Sequence, residues 1–274
     1  MLSKFEIDGL TNIMSKLNLI ELQYLIKNKL STTDKSLLLT LCLQKYDSDA
    51  SKLLNKRSIK KYFLLEYIDE CKIWYDKTTT DCYSKYDLIN AITNYWTLKD
   101  KFNEKCVKNS LTQKSTEYYD YDECKFTLDF VNWFSAHVID KIDSFETIAN
   151  NFWIDCFLKI TFEHKIFIFN NPDNIASFFK QSNNHELFFM MNKDTSSINV
   201  RIKYDNYITT KSIVTHGILY KNARFLGIFD QIIGVEQDSD KNNHWYIKFI
   251  EIIIFSNFDI VADIIDNIIR NCSL

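Results

Sequence analysis

The chain has 274 residues, 46% of them hydrophobic and 25% charged, a composition typical of a protein that folds around a core. Its formal net charge of −3 excludes a general electrostatic attraction to nucleic acid or to an anionic membrane. Only 4 glycines and 1 proline occur, so Asn, Asp and Ser must mark most turns. This bias is typical of an AT-rich genome, whether of a virus, a plasmid, a protist or an endosymbiont.

The 7 cysteines indicate a reducing compartment. Their number is odd, their spacings are wide, and several lie in apolar runs, as buried free thiols do. The N-terminus lacks the apolar core of a signal peptide. The most apolar stretch, residues 245–269, contains five charged side chains, too many for a membrane span. We therefore expect an intracellular, cytoplasmic protein without a membrane segment.

Residues 1–112 predict a helical domain, either a bundle or a short solenoid. Apolar residues keep helical spacing from Leu10 to Leu17 and again from Leu22 to Ile26. Residues 31–34 and 47–49 are rich in Ser, Thr and Asp, which cap helix N-termini, and each precedes an apolar run. Further helices are expected over residues 62–75 and 86–102.

Residues 113–123 predict a linker between two domains, because the segment is polar, aperiodic and locally acidic. The charge also changes across it. Residues 1–112 carry a formal charge of +4, whereas residues 113–274 carry −7.

Residues 124–274 predict an α+β domain with a largely antiparallel sheet and flanking helices. A helix over residues 126–142 opens the domain, and a capping box at Asp143 and Glu146 starts a second helix. Hydrophobicity then alternates over residues 156–169, which predicts one strand. Its buried face would hold Leu158, Ile160, Phe162, Ile166 and Ile168.

The rest of this domain alternates between turns, strands and helices. Pro172 at a first helical position predicts a helix to about residue 181. Strands are expected at residues 187–191, 198–204 and 245–255, with turns at 205–206 and 221–222. An amphipathic helix over residues 260–269 closes the chain.

The known motifs of metal and nucleotide sites are all incomplete. His185 and Glu186 begin like a zinc-protease helix, but Phe189 stands where the second histidine belongs. The loop that begins at Asp238 lacks the glycine and the closing glutamate of a calcium loop. His216 lacks the further histidines of a nucleotide-binding triad. The sequence therefore predicts no metal ion, no cofactor and no catalytic residue.

Glu163 and Lys165 form the most suggestive enzymatic fragment, with Asp155 upstream. An acid and a lysine two residues apart on one strand are similar to the site of metal-dependent nucleases, in which the acid binds Mg²⁺ and the lysine positions the attacking water. Ion pairing between neighbouring strands explains the same polar face equally well.

Five basic residues lie close together without an intervening acid. On one continuous helix they would form a stripe suited to phosphate contacts, although a solvated helix face is the simpler interpretation. The five candidate nucleic-acid-binding residues are Lys52, Lys56, Arg57, Lys60 and Lys61.

The sequence as a whole favours a non-enzymatic interaction or scaffolding protein with one or more protein partners. The alternative is a nucleic-acid-associated protein that binds through the basic residues, or a metal-dependent nuclease that uses Glu163 and Lys165.

Overall fold

The computed structural model describes residues 1–26, 33–74, 84–112, 121–139, 150–192, 199–205, 208–238, 244–258 and 260–272. The chain divides into two compact units, Met1–Lys101 and Phe102–Leu274. The fold is α+β, as expected. Helices build the first unit in the described residues, and the second unit combines a sheet with helices.

The helices of the first unit begin at the residues that the sequence marks. Ser3 and Glu6 form a capping box, and the side chains of Asp34 and Asp49 accept hydrogen bonds from the first turns of their helices. The described helices are α1 (Lys4–Ser15), α2 (Leu19–Ile26), α3 (Lys35–Lys45), α4 (Ala50–Leu54), α5 (Lys61–Glu70) and α6 (Lys85–Thr112).

A buried tryptophan centres the packing of the first unit. Trp96 Nε1 donates to Tyr67 Oη at 2.8 Å, so the polar atoms of both rings are satisfied. The indole ring lies against Gly9 of α1, where a Cβ atom would be only 2.4 Å from it. On the surface, Lys16 joins α1 to α5 through ion pairs with Glu66 and Glu70.

The two units divide between Lys101 and Phe102, inside the continuous helix α6. The predicted linker lies further along the chain. Its residues 113–120 fall outside the described residues, and residues 121–123 belong to the next helix.

The second unit contains a seven-stranded sheet in the described residues. Its helices are α7 (Tyr121–Phe134), which continues into a π-helical turn (Ser135–Ile139), α8 (Pro172–Asn184) and α9 (Ile260–Cys272). Its strands are β1 (Phe152–Phe162), β2 (Lys165–Asn170), β3 (Leu187–Met191), β4 (Asn199–Asp205), β5 (Ile208–Lys221), β6 (Arg224–Asp238) and β7 (His244–Phe255).

The sheet is largely antiparallel, as predicted. The strand order is β2-β1-β7-β6-β5-β3, and β4 pairs with the first half of β5. The parallel pair is β1 with β7, which are joined by a long stretch of chain. Asn222 and Ala223 form the turn between β5 and β6, one residue beyond the predicted pair, with φ values of 49° and 58° as in a type I′ turn. The Asp143–Glu146 box and Asn206, the second residue of the predicted turn at 205–206, lie outside the described residues.

The prediction of one strand over residues 156–169 is wrong. Glu163 and His164 form a two-residue turn, and β2 folds back antiparallel along β1. Phe162 pairs with Lys165, so even-numbered residues of β1 share a face with odd-numbered residues of β2. Ile166 and Ile168 therefore lie on the opposite face from Leu158, Ile160 and Phe162, because a two-residue turn reverses the alternation that a single strand would keep.

Helices cover one face of the sheet, which we call the covered face. Phe178 of α8 packs against Phe169 of β2 and Phe189 of β3, with ring centroids 5.1 and 6.3 Å apart. Phe189 in turn contacts Phe229 of β6 at 5.4 Å. Lys165 also points to this side, where it pairs with Asp266 of α9. The other side, which holds Ile166 and Ile168, is the open face.

Limited proteolysis tests the domain boundary. Peptide bonds within a helix resist proteases, so cleavage between the units should fall beyond Thr112 rather than at the division inside α6. Lys114 is the only basic residue in the predicted linker. We expect light trypsin treatment to yield two stable fragments cut after Lys114, and Lys114→Gln to suppress that cut. First cleavage at Lys101 or Lys105 would contradict the predicted boundary.

Candidate functional site

Strand β2 lies at an edge of the sheet, and in the described residues only β1 pairs with it. The Asn171 N–H donates to Cys156 O at 3.1 Å, so the backbone of odd-numbered residues in and just after β2 faces β1. Hydrogen bonding alternates along an antiparallel strand. The backbone N–H and C=O groups of Ile166 and Ile168 therefore point away from the sheet. Asn170 confirms this direction, because its C=O accepts from Asn174 Nδ2 at 3.0 Å.

A groove of about 630 Å³ follows this edge. The groove is lined by two residues of β2 that face the open side and by two that face the covered side. It therefore wraps around the edge of the strand. Its walls come from the first turn of α8 and the last turns of α9. The lining residues are Ile166, Phe167, Ile168, Phe169, Asn174, Ile269 and Cys272.

The open face continues from β2 across the neighbouring strands. Ile166 and Ile168 are each 59% exposed, and Ile253 of β7 is 41% exposed. Ile166 and Ile253 flank Thr161 in one cross-strand row. The next row contains Ile168 and an ion pair between Lys159 and Glu251 with a 3.7 Å separation. The face therefore combines exposed aliphatic side chains with charges that partly neutralise one another.

An aromatic pair extends this face. Phe157 of β1 and Phe249 of β7 are stacked with centroids 5.6 Å apart and an interplanar angle of 14°. Phe249 covers the backbone of Gly234 on β6, where a Cβ atom would be 2.1 Å from its ring. A larger residue at position 234 would displace Phe249, so this glycine is required for close packing rather than for a turn.

The structure separates the three residues of the nuclease-like fragment. Glu163 lies in the hairpin turn with φ of 53°, so it does not share a strand with Lys165. Lys165 Nζ is 3.0 Å from Asp266 Oδ2, and Asp155 lies 2.6 Å from Lys248 Nζ. The hydrogen bond from Lys248 lowers the pKa of Asp155. Lys165 and Asp155 are thus engaged elsewhere, and cross-strand or strand–helix ion pairing accounts for them.

His216 and Asp230 form a pair that sequence spacing did not reveal. They are direct neighbours on β5 and β6, with His216 Nδ1 2.7 Å from Asp230 Oδ1. The histidine is 7% exposed, so substrates and solvent have little access to it. The adjacent pair on the covered face, Thr215 and Gln231, is buried, and its Oγ1 and Oε1 atoms have no hydrogen-bond partner in the described residues.

The described part of the chain assembles no metal site, and its two buried cysteines are poor nucleophiles. No group of three or more His, Cys, Asp or Glu side chains there is placed to hold a metal ion. Cys42 and Cys156 are free and buried. Burial raises the pKa of Cys42 to about 11 and that of Cys156 to about 12, so neither is a thiolate nucleophile at neutral pH.

The predicted basic stripe does not lie on one helix. Helix α4 ends at Leu54 and α5 begins at Lys61, with a turn between them. Lys52 therefore lies on a different helix from Lys61, while Lys56, Arg57 and Lys60 lie in the connection. Helical spacing suggested continuity because no glycine or proline interrupts the segment.

A residue distant in sequence joins this connection. Lys85, at the start of α6, donates from Nζ to the Lys56 carbonyl at 2.7 Å. Burial, and after it the positive charge of Lys60, lower the pKa of Lys85. We call Lys56, Arg57, Lys60, Lys61 and Lys85 the basic cluster. Its membership depends on the packing of α6 beside the α4–α5 connection, which local sequence patterns do not contain.

Comparisons with known proteins place the second unit in a family. The model of the DUF4518 C-terminal domain matches residues 124–262. No curated protein is detectably similar to the chain. None of the described helices is both long and apolar enough to cross a membrane.

Three solved structures show distant similarity to the chain. The yeast UBP3-associated protein BRE5 has a TM-score of 0.40 and 14% identity, covering 51% of this chain and 100% of its own. A Mycobacterium tuberculosis protein of unknown function has a TM-score of 0.38 and 11% identity, covering 56% and 92%. A Nostoc punctiforme protein described as having a cystatin-like fold has a TM-score of 0.37 and 13% identity, covering 53% and 99%. At these scores, the fold class rests on the strand order and register above.

Thiol titration checks the burial of the cysteines. In the native chain at about pH 8, Cys42 and Cys156 should resist a disulfide reagent, because both thiols stay protonated and buried. All 7 cysteines should react after denaturation without reductant, because we expect no disulfide. Rapid native labelling of Cys156, or fewer reactive thiols in the denatured chain, would contradict these expectations.

Proposed function

We propose that this chain, which belongs to the family of the DUF4518 C-terminal domain, is a non-enzymatic protein-binding module that takes an extended segment of a partner along β2. The observation that carries this proposal is the outer edge of β2, unpaired among the described residues, with Ile166 and Ile168 exposed beside a groove. The catalytic combinations suggested by the sequence are not assembled in the described residues, which favours binding over catalysis.

The spacing of the outward backbone groups of β2 favours an extended peptide as the binding partner. Ile166 and Ile168 each present an N–H donor and a C=O acceptor at the edge, separated by about 7 Å along the strand. An extended peptide offers acceptors and donors at the same spacing, whereas a helix satisfies its own backbone groups. Adding a strand would therefore pair four backbone groups of β2 that have no strand partner among the described residues.

Because the side chains of β2 are mostly apolar, its unpaired edge favours association with another chain. Residues 166–169 read Ile-Phe-Ile-Phe, without a charge or a proline. Sheet edges are usually protected by lysine, proline, a bulge or a covering segment, because a bare apolar edge pairs with other chains. Here Lys165 turns towards Asp266, and Pro172 lies beyond the strand. This lack of protection supports a biological partner for the edge.

The groove also specifies the partner's chemistry. A strand paired with β2 would direct alternate side chains towards the open face, beside Ile166 and Ile168, and the others towards Ile269 of α9. Isoleucines line the first side, and the second side is mostly apolar, with two phenylalanines of β2 beside Ile269 and with Asn174 and Cys272 as its more polar members. We therefore expect a segment of about six residues with apolar side chains on both faces, and main-chain hydrogen bonds as the main source of affinity.

The test uses peptides selected from a random phage library on the full-length chain. Ile168→Pro removes one outward N–H without touching the pairing to β1, because proline is tolerated where the N–H faces away from the sheet. We expect it to weaken the selected peptides about tenfold, the cost of leaving a peptide acceptor unpaired. Ile168→Val keeps the N–H and should change affinity by less than about threefold.

Thermal melting of both variants should match the wild type, which separates lost binding from lost folding. Peptides that bind the Ile168→Pro variant as tightly as the wild type would contradict the proposal, as would a library that yields no binder. Sedimentation distinguishes a second copy as the occupant. A wild-type dimer that Ile168→Pro dissociates would show that the edge pairs with itself rather than with a partner.

A further inference from the structure

We propose that the basic cluster of the first unit, with the exposed rings of Tyr62 and Tyr86, is a binding site for single-stranded nucleic acid. This inference concerns the first unit and does not depend on the edge strand β2. Three features of the described residues carry it: the gathering of cations from two helices, the small number of acids among them, and two exposed aromatic rings.

The fold concentrates positive charge at one place. Lys85 is fixed by its bond to the Lys56 carbonyl to the α4–α5 connection, which also carries Arg57 and Lys60. Arg57 and Lys60 are exposed, and Lys61 is half-buried. The nearby acid Asp87 is held by Ser84, whose backbone N–H and hydroxyl both donate to Oδ2 at 2.8 Å. Asp49 is held as the N-cap of α4.

Lys56 differs from the other cations of the basic cluster, because its ammonium group contacts a buried ring. Its Nζ lies 5.4 Å from the ring centroid of Tyr46, which is buried. It therefore stabilises the connection by a cation–π contact. The cations most available to a ligand are Arg57, Lys60 and Lys61.

Two exposed tyrosines directly follow cations of the cluster in the chain. Tyr62 follows Lys61 and is 59% exposed, and Tyr86 follows Lys85 and is 68% exposed. Cations beside exposed rings fit single strands, because phosphates contact the cations while unstacked bases lie on the rings. A duplex keeps its bases stacked inside, and an acidic peptide offers no bases, so neither would use the tyrosines.

The charge of the whole chain limits the strength of this site. The net charge is −3, so attraction must come from the cluster alone, within a Debye length of about 8 Å at physiological salt. We expect weak binding that depends steeply on salt. Three phosphate contacts to a single strand would lower affinity about 20-fold between roughly 50 and 200 mM salt.

Fluorescence anisotropy of the full-length chain with a labelled oligo(dT) of about 20 nucleotides tests the proposal. The triple variant Arg57→Glu, Lys60→Glu, Lys61→Glu should lose binding at least about 50-fold, because it reverses three phosphate contacts. Acids at the start of α5 favour the helix dipole, so this variant should fold normally. Tyr62→Ala with Tyr86→Ala should weaken binding at least about tenfold through lost stacking.

A control for charge reversal elsewhere in the first unit is Lys72→Glu with Lys101→Glu. Lys72 lies beyond the C-terminal end of α5. Lys101 lies in α6, about 24 Å along the helix from Lys85. The control variant should bind oligo(dT) within about twofold of the wild type. An abasic strand of equal length should bind about tenfold more weakly than oligo(dT), because it keeps the phosphates without the bases.

Each of the following outcomes would overturn the proposal. They are no binding of oligo(dT) by the wild type at about 50 mM salt, an equal loss in the control variant, equal affinity for the abasic strand, and equal competition by polyglutamate. Tighter binding of a duplex of the same length would also contradict it, because a duplex does not offer its bases to the tyrosines.

Discussion

The two-residue turn at Glu163 and His164 determines which side chains and backbone groups of β2 are exposed on the second unit. Because Phe162 pairs with Lys165 across this turn, Phe167 and Phe169 enter the covered face, and Ile166 and Ile168 are directed to the open face. The same register orients the outward backbone groups of Ile166 and Ile168. One additional residue in the turn would exchange the two sets of side chains. Edge, groove and open face all depend on this single register.

Local signals predicted most of the helices, because the interactions that start a helix lie within a few residues. Asp34, Asp49 and Pro172 each begin a helix where the sequence indicated. The antiparallel character of the sheet followed equally well from short turns between alternating segments. These features require no knowledge of distant parts of the chain.

The hairpin was missed because its turn lacks the usual residues. A left-handed backbone conformation normally indicates glycine or asparagine, but Glu163 adopts φ of 53° here. The long-range contacts could not be predicted from the sequence for a different reason. Lys85 reaches Lys56 only because α6 packs near the α4–α5 connection, and Asp230 reaches His216 only through sheet register. The basic cluster and the His216–Asp230 pair therefore depend on contacts that no local pattern encodes.

The claim that depends most directly on this register is that the β2 edge is open. Amide hydrogen exchange measured by NMR on the free chain tests it without any ligand. The amides of Phe167 and Phe169 should be protected by bonds to β1, whereas those of Ile166 and Ile168 should exchange at least about 100-fold faster, because they face solvent. Equal protection of all four amides would contradict the open edge and the binding mode inferred from it.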